Sequence, residues 1–477
     1  MNKRVEPEEV HTKGDELTRV YRRRWLMLLL FCAYSLSNAY QWIHLNIVFD
    51  VILANYNASL PSEPSQANLA IDWLSMVYML AYALLILPAA WVLDRYGLRV
   101  TSICATSLNF IGALMKCFAT DSNRFWLLFA GQTVSATAQS FILGIPAPLA
   151  AAWFGINELS TATALGVFGT QIGVAVGFVL PPLFINKADG MQQQLLWMFI
   201  GGACVTGALF LLVLLFFCDR PPLPPSLGQL TVRRNAHNQE GETKTTGKMY
   251  AASLRRLLTC PAFVLLTISY GLNTGVYYAL STLLNPIVVP EFKKIGINST
   301  SVDVIEQQVG WAGFTLIAAG VLGAVVYGIV LDRTRAFKLT TLSCYALSLI
   351  GTALFTATLP HAQLWLVFVS MAVLGFFMTG YLPVGFEYAA EITYPENEGL
   401  SSGILNASAQ ILGIACTIFV RAVIDAVSTL AANFIFCGLL LVGTVLTALI
   451  RSDLKRQRAN QILIDEPSVG AAVDKPA

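Results

Sequence analysis

Uncharged polar and aromatic side chains interrupt the long apolar stretches of this sequence, and their types suit an organic cation. Trp42 and Tyr278 lie at similar depths in two such stretches, 236 residues apart. Aromatic faces attract cations, and a quaternary ammonium ion is weakly hydrated, so an aromatic cage can hold it without a carboxylate. Nearby amides would bond a hydroxyl group on the same molecule. The other candidates for such a site are Asn38, Gln41, Asn46, Gln139, Gln171, Asn273, Tyr277, Asn285, Asn406 and Gln410.

The same residue types also serve packing. Tryptophan and tyrosine anchor membrane helices at the interface, and asparagine and glutamine tie helices together. Asn38 and Trp42 are one helical turn apart and share a face, as do Asn273 and Tyr277. The matched depth of Trp42 and Tyr278 favours a clamp on one ligand from two sides, and both roles stay open for these two rings.

The elements that carry these residues are predicted to be membrane helices. The 477-residue chain is 56% hydrophobic and only 12% charged, with a mean hydropathy of +0.63. A soluble domain cannot bury that much apolar surface, whereas about 20 apolar residues per helix cross a bilayer. The sequence predicts an all-α membrane protein with twelve spans at residues 24–50, 72–93, 99–119, 125–151, 158–186, 192–217, 257–288, 308–331, 338–357, 364–390, 398–424 and 428–450.

An internal repeat divides these spans into two sets of six. The tetrapeptide Val-Leu-Asp-Arg at residues 92–95 recurs at 330–333, an offset of 238, and Gln171-Ile172 recurs as Gln410-Ile411, an offset of 239. Parallel six-helix repeats are typical of transporters with a substrate site between the halves, near the bilayer midplane. The expected domains are a disordered tail (1–20), an N-terminal half (21–218), a linker (219–256), a C-terminal half (257–451) and a C-terminal tail (452–477).

Three glycines of the fifth span have a packing role in this prediction. Gly169, Gly173 and Gly177 follow one another at four-residue spacing. A ridge of this kind lets a neighbouring helix approach closely.

The positions of lysine and arginine predict the orientation. Basic clusters precede the first span and follow the second, sixth, eighth and twelfth, which places all of them on one side. The positive-inside rule makes that side the cytosol, with both termini in it. The glycosylation sequons at Asn57 and Asn298 fall in loops on the other side. We therefore expect a multi-pass glycoprotein of the plasma membrane.

The turn after the second span carries a recognisable charged motif. Residues 94–99 read Asp-Arg-Tyr-Gly-Leu-Arg, which resembles the signature of the major facilitator superfamily, although Ala90 replaces its usual leading glycine. The resemblance implies the major facilitator fold and a cytosolic charge cluster that holds one conformation shut, with ordinary interfacial charges as the alternative. The expected gating residues are Asp94, Arg95, Arg99, Asp332 and Arg333, with Glu387 and Glu391 as partners for Arg95 or Arg333.

Charged residues avoid the centres of the predicted spans. Lys116, Arg421 and Asp425 lie near span ends, and Arg421 and Asp425 are one turn apart and could pair. A proton-coupled carrier needs a titratable group in its pathway, so this distribution favours a facilitative uniporter.

Several stretches resemble the feline leukaemia virus subgroup C receptor-related (FLVCR) family. They include residues 38–43 (Asn-Ala-Tyr-Gln-Trp-Ile), 72–78 (Asp-Trp-Leu-Ser-Met-Val-Tyr), 138–144 and 281–285. The resemblance implies a choline and ethanolamine transporter that works by alternating access. It assigns the choline site to Trp42, Tyr278, Gln139 and Gln410.

Two other functions are alternatives to choline transport. The same family has been proposed to export haem, which would need an axial histidine or cysteine, and His44 is the only histidine in a span. The second alternative is a cell-surface receptor that transports nothing. An enzyme is not expected, because no nucleophile–base set or metal motif occurs, and no cofactor or metal is expected. The expected partners are a small organic substrate and the lipid bilayer, and nucleic acid is not expected. The protein is expected to be a monomer.

Overall fold

A computed structural model describes residues 19–155, 158–185, 190–225, 252–294, 299–394 and 398–451, together with 396, 454, 455, 457 and 458. Within these residues the chain forms helices and turns and contains no β-strand. The tails and most of the expected linker fall outside the described residues, so the domain boundaries stay a prediction.

The first half contains seven helices among its described residues. They are α1 (Arg23–Ile43), α2 (Phe49–Asn55), α3 (Pro64–Cys117), α4 (Phe125–Ile142), α5 (Pro146–Trp153), α6 (Leu159–Phe184) and α7 (Met191–Phe216).

The second half begins in the same way, with a long helix followed by a short one. Its helices are α8 (Pro261–Thr282), α9 (Leu284–Lys293), α10 (Ser299–Thr334), α11 (Phe337–Thr358), α12 (Leu364–Thr393), α13 (Glu398–Ala426) and α14 (Thr429–Leu449), with a short 3₁₀ turn at Leu359–His361.

The helices account for all twelve predicted spans. Ten helices in the described residues are long and apolar enough to cross a membrane, and the pair α4–α5, bent by 43°, makes an eleventh crossing. The twelfth lies within α3, whose 54 residues break at Gly97 and so cover the second and third predicted spans. The prediction of an all-α protein with two six-helix halves is confirmed.

The first helix of each half is broken at a corresponding place. The predicted span 24–50 divides into α1 and α2 around residues 44–48, and the span 257–288 divides into α8 and α9 at Leu283. Such breaks free backbone carbonyl groups from the helical hydrogen-bond pattern, which is tolerated at membrane depth only where the protein encloses them. Trp42 and Tyr278 lie in the last turns before these two breaks.

The glycine ridge of α6 packs against α1, as predicted. A side chain added at Gly169 would meet Cys32, one at Gly173 would meet Leu36, and one at Gly177 would meet Ile43. The close approach fixes α1, and with it the position of Trp42, against the rest of the first half.

Gly97 makes the turn between the two crossings of α3. Its backbone adopts φ 79° and ψ −176°, a region that residues with a β-carbon essentially avoid. The Asp219 carboxylate beside it accepts hydrogen bonds from the backbone N–H groups of Leu98 at 2.6 Å and Arg99 at 3.3 Å. Asp219 therefore caps the returning helix, as acidic groups do at helix N-termini.

We predict that Gly97→Ala lowers the thermal unfolding midpoint of the detergent-solubilised protein. The backbone strain costs about 1–3 kcal/mol, and the new methyl group would meet the Asp219 carboxylate. Gly201→Ala is the control, because a β-carbon there has open space around it. Equal midpoints for the two variants would contradict this assignment of strain.

Candidate functional site

Trp42 and Tyr278 meet between the two halves. Their ring centroids are 5.7 Å apart and the ring planes are inclined at 81°. The Trp42 side chain is buried, with 6% of its surface exposed, and Tyr278 is half-buried. The structure thus brings together the two aromatic residues that the repeat paired, one from each half.

The surroundings of Tyr278 combine polar and soft apolar groups. The Gln410 amide nitrogen donates a hydrogen bond to the Tyr278 hydroxyl at 3.4 Å, and the Tyr277 ring lies 5.5 Å away. A side chain at Gly413 would meet both the Met79 sulfur and the Tyr278 ring. The site is therefore lined by π faces, one thioether and one amide from α3, α8 and α13.

Asn38 and Gln41 point into the first half. The Asn38 amide donates to the Asn109 side-chain oxygen and to the Ser135 carbonyl, both at 2.9 Å. The Gln41 amide donates to the same Asn109 oxygen at 2.9 Å. In this conformation both side chains tie α1 to α3 and α4, which is the alternative packing role that the sequence allowed for asparagine and glutamine.

The remaining predicted polar residues occupy mixed environments. Asn273 is fully buried, and neither of its amide atoms has a hydrogen-bond partner among the described residues. Gln139 and Gln171 are half-buried. Asn406, also half-buried, lies beside the Tyr82 hydroxyl.

Tyr82 was not singled out from the sequence. It is 5% exposed and lies on α3 opposite the α13 residue Asn406. A tyrosine in an apolar run gives no signal of this, since the contact depends on which faces of the two helices meet.

A buried ion pair joins the halves. The Arg421 guanidinium binds the Asp72 carboxylate with two hydrogen bonds, of which the Nη2–Oδ1 bond is 2.7 Å. Asp72 is fully buried and Arg421 is 3% exposed. The guanidinium also lies over the Phe49 ring, 4.9 Å from its centroid. A two-pronged geometry of this kind is the favourable one for a buried pair.

Other bonds between the halves cluster at the same end of the bundle, here called the closed end. The Asn285 amide donates to the Ile47 carbonyl at 2.6 Å. These residues are 238 positions apart, the repeat interval, so the bond lies close to the pseudo-symmetry axis. The further bonds between described residues of the two halves are Ser75–Thr282 at 3.0 Å, Asn68–Asp425 at 3.1 Å and Lys293–Asp50 at 2.9 Å.

The ion pair corrects one expectation and reveals one missed residue. Arg421 binds Asp72 rather than Asp425, because the interface brings α3 against the inner side of α13. Asp425 instead accepts a hydrogen bond from Asn68. The signal available in the sequence was a lone acid, Asp72, at the edge of an apolar span, where an unpaired charge is costly.

The predicted gating residues lie at the opposite end. Asp94, Arg95, Arg99 and Arg333 have exposed side chains, and Glu387 is exposed on α12. Glu391 is buried and accepts a hydrogen bond from the Gln457 backbone N–H at 2.7 Å, so it does not pair with Arg95 or Arg333 in this conformation. The side chain of Asp332 lies outside the described residues, and a gating role for the set stays a prediction.

The two predicted glycosylation sites differ in how far they can be placed. Asn57 is exposed in the turn after α2, at the closed end. Asn298 lies outside the described residues.

Comparison with known proteins identifies relatives over nearly the whole chain. The model of the Major Facilitator Superfamily matches residues 26–293 and 266–473. The "Choline/ethanolamine transporter flvcr2a" of Danio rerio is 45% identical over 461 residues, which cover 96% of this chain and 93% of that protein. The "Choline/ethanolamine transporter FLVCR2" of Homo sapiens is 41% identical over 448 residues, which cover 93% of this chain and 80% of that protein.

The fold is also that of solved transporters. A bacterial homologue of the human lysosomal transporter Spinster aligns with a TM-score of 0.66 at 13% identity, over 92% of this chain and 99% of that one. At this identity the likeness shows the fold, and it supports the arrangement of two six-helix halves.

We predict that single changes in the buried ion pair destabilise the protein more than removing both charges. Asp72→Asn or Arg421→Gln strands one buried charge, at a cost of about 3–5 kcal/mol, whereas a neutral pair avoids that cost. The thermal unfolding midpoint should fall in each single variant and recover largely in Asp72→Asn/Arg421→Gln.

The exposed pair at the same end supplies a matched control. Lys293→Met removes the bond to Asp50 at a partly exposed position and should change the midpoint little. A double variant no more stable than the two single variants would show that the buried charges do not compensate each other.

Proposed function

Because this chain belongs to the FLVCR family of the major facilitator superfamily, we propose that it moves choline, and also ethanolamine, across a membrane. It is a multi-pass membrane transporter and not an enzyme. The proposed mechanism is facilitative uniport by alternating access. An aromatic cage for the ammonium group forms where the two halves meet.

The observation that carries this proposal is the contact of Trp42 with Tyr278. Each ring lies in the last turn before a helix break, and each belongs to a different half. The rings touch each other in this conformation, so a substrate would part them and would then be bound by both halves at once. This is the arrangement that a carrier needs if substrate release is to follow from a movement of one half against the other.

The chemistry of the site suits an organic cation with a hydroxyl group. Ring faces attract a desolvated quaternary ammonium with about 2 kcal/mol or more per good contact. The Gln410 amide and the Tyr82–Asn406 pair offer hydrogen bonds to a hydroxyl group. We include Gln139 and Gln171 as further polar groups of the pathway, since both are half-buried.

The closed end supports alternating access. The ion pair Asp72–Arg421 and the bond from Asn285 to the Ile47 carbonyl join the halves on one side of the aromatic pair. Opening of that side would separate these partners, while the opposite end would be shut by the charge cluster around Arg95 and Arg333. The buried Asp72 carboxylate is neutralised by Arg421. This pairing fits a uniporter that has no proton-carrying group in its substrate site.

The distribution of basic residues gives the orientation that we propose. Arg23 donates to the Phe216 carbonyl and Arg24 pairs with Glu158 at the end opposite the closed one. That end is cytosolic by the positive-inside rule, so both termini are cytosolic and the closed end of the present conformation faces outward. The exposed Asn57 then faces outward, which fits glycosylation at a plasma membrane. Residues 219–256 would link the halves on the cytosolic side of a monomer.

Haem is not the proposed substrate. The His44 Nδ1–H donates to the Gln41 carbonyl at 2.9 Å, and the ring stacks on Tyr40 with centroids 5.1 Å apart. The His44 side chain is only 2% exposed, so its neighbours would have to move before a haem iron could reach the ring.

Uptake of radiolabelled choline into cells that express the chain tests the proposal. We expect Trp42→Ala to raise the KM for choline roughly thirtyfold, because a cation–π contact of about 2 kcal/mol is lost. Unlabelled ethanolamine should compete with choline. Trp197→Ala, which changes an exposed tryptophan, is the matched control and should leave the KM unchanged.

Three results would count against the proposal. Uptake no higher than in cells without the chain would remove choline transport altogether. An unchanged KM in Trp42→Ala would be compatible with choline transport but would contradict the aromatic cage. Haem efflux that is abolished by His44→Ala, with choline uptake unaffected, would favour the haem exporter.

A further inference from the structure

A lysine side chain is buried inside the first half without an anion beside it. Lys116 lies in the last turn of α3 and is 2% exposed. Its ammonium donates to the Gln41 side-chain oxygen at 2.8 Å. Among the residues that the structure describes, no carboxylate pairs with it. An ionisable side chain buried in this way within a membrane protein marks a candidate functional position, because burying it is costly.

Gln41 is the centre of the bonds that surround this lysine. Its side-chain oxygen accepts a second hydrogen bond from the Ser135 hydroxyl at 3.1 Å. Its backbone carbonyl accepts from the Gln132 amide at 2.7 Å and contacts the His44 ring nitrogen at 2.9 Å. Both polar groups of one residue are therefore held by neighbours on α3 and α4 and by the start of the helix break.

The place of Gln41 in the chain connects this network to the cage. Gln41 directly precedes Trp42, and α1 ends one residue later, at Ile43. The end of a broken helix has lost the hydrogen bonds that would otherwise keep its last turn in place. Here, the Gln132 amide donates to the Gln41 carbonyl in place of such a bond, and Lys116 holds the side chain of the same residue.

The described residues of the second half contain no counterpart of this network. The repeat offset of 238 places Leu354 where the first half has Lys116, and Asn273, close to the equivalent of Asn38, is buried with both amide atoms unpartnered. The lysine is therefore not part of the six-helix fold as such. It accompanies the half that carries the tryptophan.

We propose that Lys116 is a positioning residue for Trp42: its ammonium fixes Gln41 and the last turn of α1, and so holds the indole ring in the orientation that receives the substrate cation. The inference rests on the proposed function, because its effect is measured on choline. It adds a residue that does not touch the substrate and acts through the hydrogen bonds behind the ring.

The test measures the KM and the maximal rate of choline uptake, normalised to the amount of protein in the membrane, for Lys116→Met. Methionine keeps the length of the chain and removes the donors. We expect the KM to rise by up to roughly tenfold, the upper end of what one buried hydrogen bond contributes, with a smaller change in the maximal rate. Lys338→Met, on a half-buried lysine at the opposite end, is the control and should leave the KM unchanged.

A double-variant cycle separates positioning from general stability. If Lys116 acts through the indole ring, Lys116→Met should add no further rise in KM to Trp42→Ala, because the group being positioned is absent. Ser135→Ala removes the weaker bond to the same Gln41 oxygen and should raise the KM by less. It also keeps the proposal testable if Lys116→Met does not reach the membrane.

An unchanged KM in Lys116→Met, or in Ser135→Ala where the lysine variant is not obtained, would overturn the role of Lys116. So would a rise that multiplies with that of Trp42→Ala. Failure of the proposed function looks different, since the wild-type chain itself would then show no choline uptake.

Discussion

The two halves are joined by one buried ion pair, Asp72–Arg421, and the arrangement of the candidate site depends on this contact. Trp42 and Tyr278 belong to different halves, so the two rings stay in contact only while the halves are held together near them. The Asp72–Arg421 pair supplies that hold inside a protein surrounded by hydrocarbon, where a stranded charge is costly. The same cost makes the pair suitable as a gate, because separation must be compensated by water or substrate entering from that side.

The two halves share a fold and differ in what stabilises their first helices. In the first half, α1 is held by the glycine ridge of α6 on one side and by the network of Lys116 and Gln41 on the other. In the second half, α8 is held by contacts among tyrosines and hydroxyl groups, such as the bond between Ser269 and Thr447 at 2.5 Å.

The broken helices explain why the site lies where it does. A helix that stops in the middle of a membrane exposes backbone groups that hydrocarbon cannot satisfy. The structure encloses both breaks at the interface of the halves and bridges them with the bond from Asn285 to the Ile47 carbonyl. The aromatic residues precede the breaks, so the position of the Trp42–Tyr278 contact and the position of the interface are set by the same constraint.

Hydrophobic runs, basic clusters and the repeat interval predicted the twelve crossings, the two halves and the pairing of Trp42 with Tyr278. These features are local or periodic, and a membrane imposes the same length and charge rules on every span. The sequence did not predict that Asp72 binds Arg421, that Tyr82 lies beside Asn406, or that Lys116 holds Gln41. Those contacts join residues far apart in the chain, and they depend on which faces of the helices meet. Only the packed tertiary structure decides that, because one turn of helix offers several directions to each side chain and the neighbours select one of them.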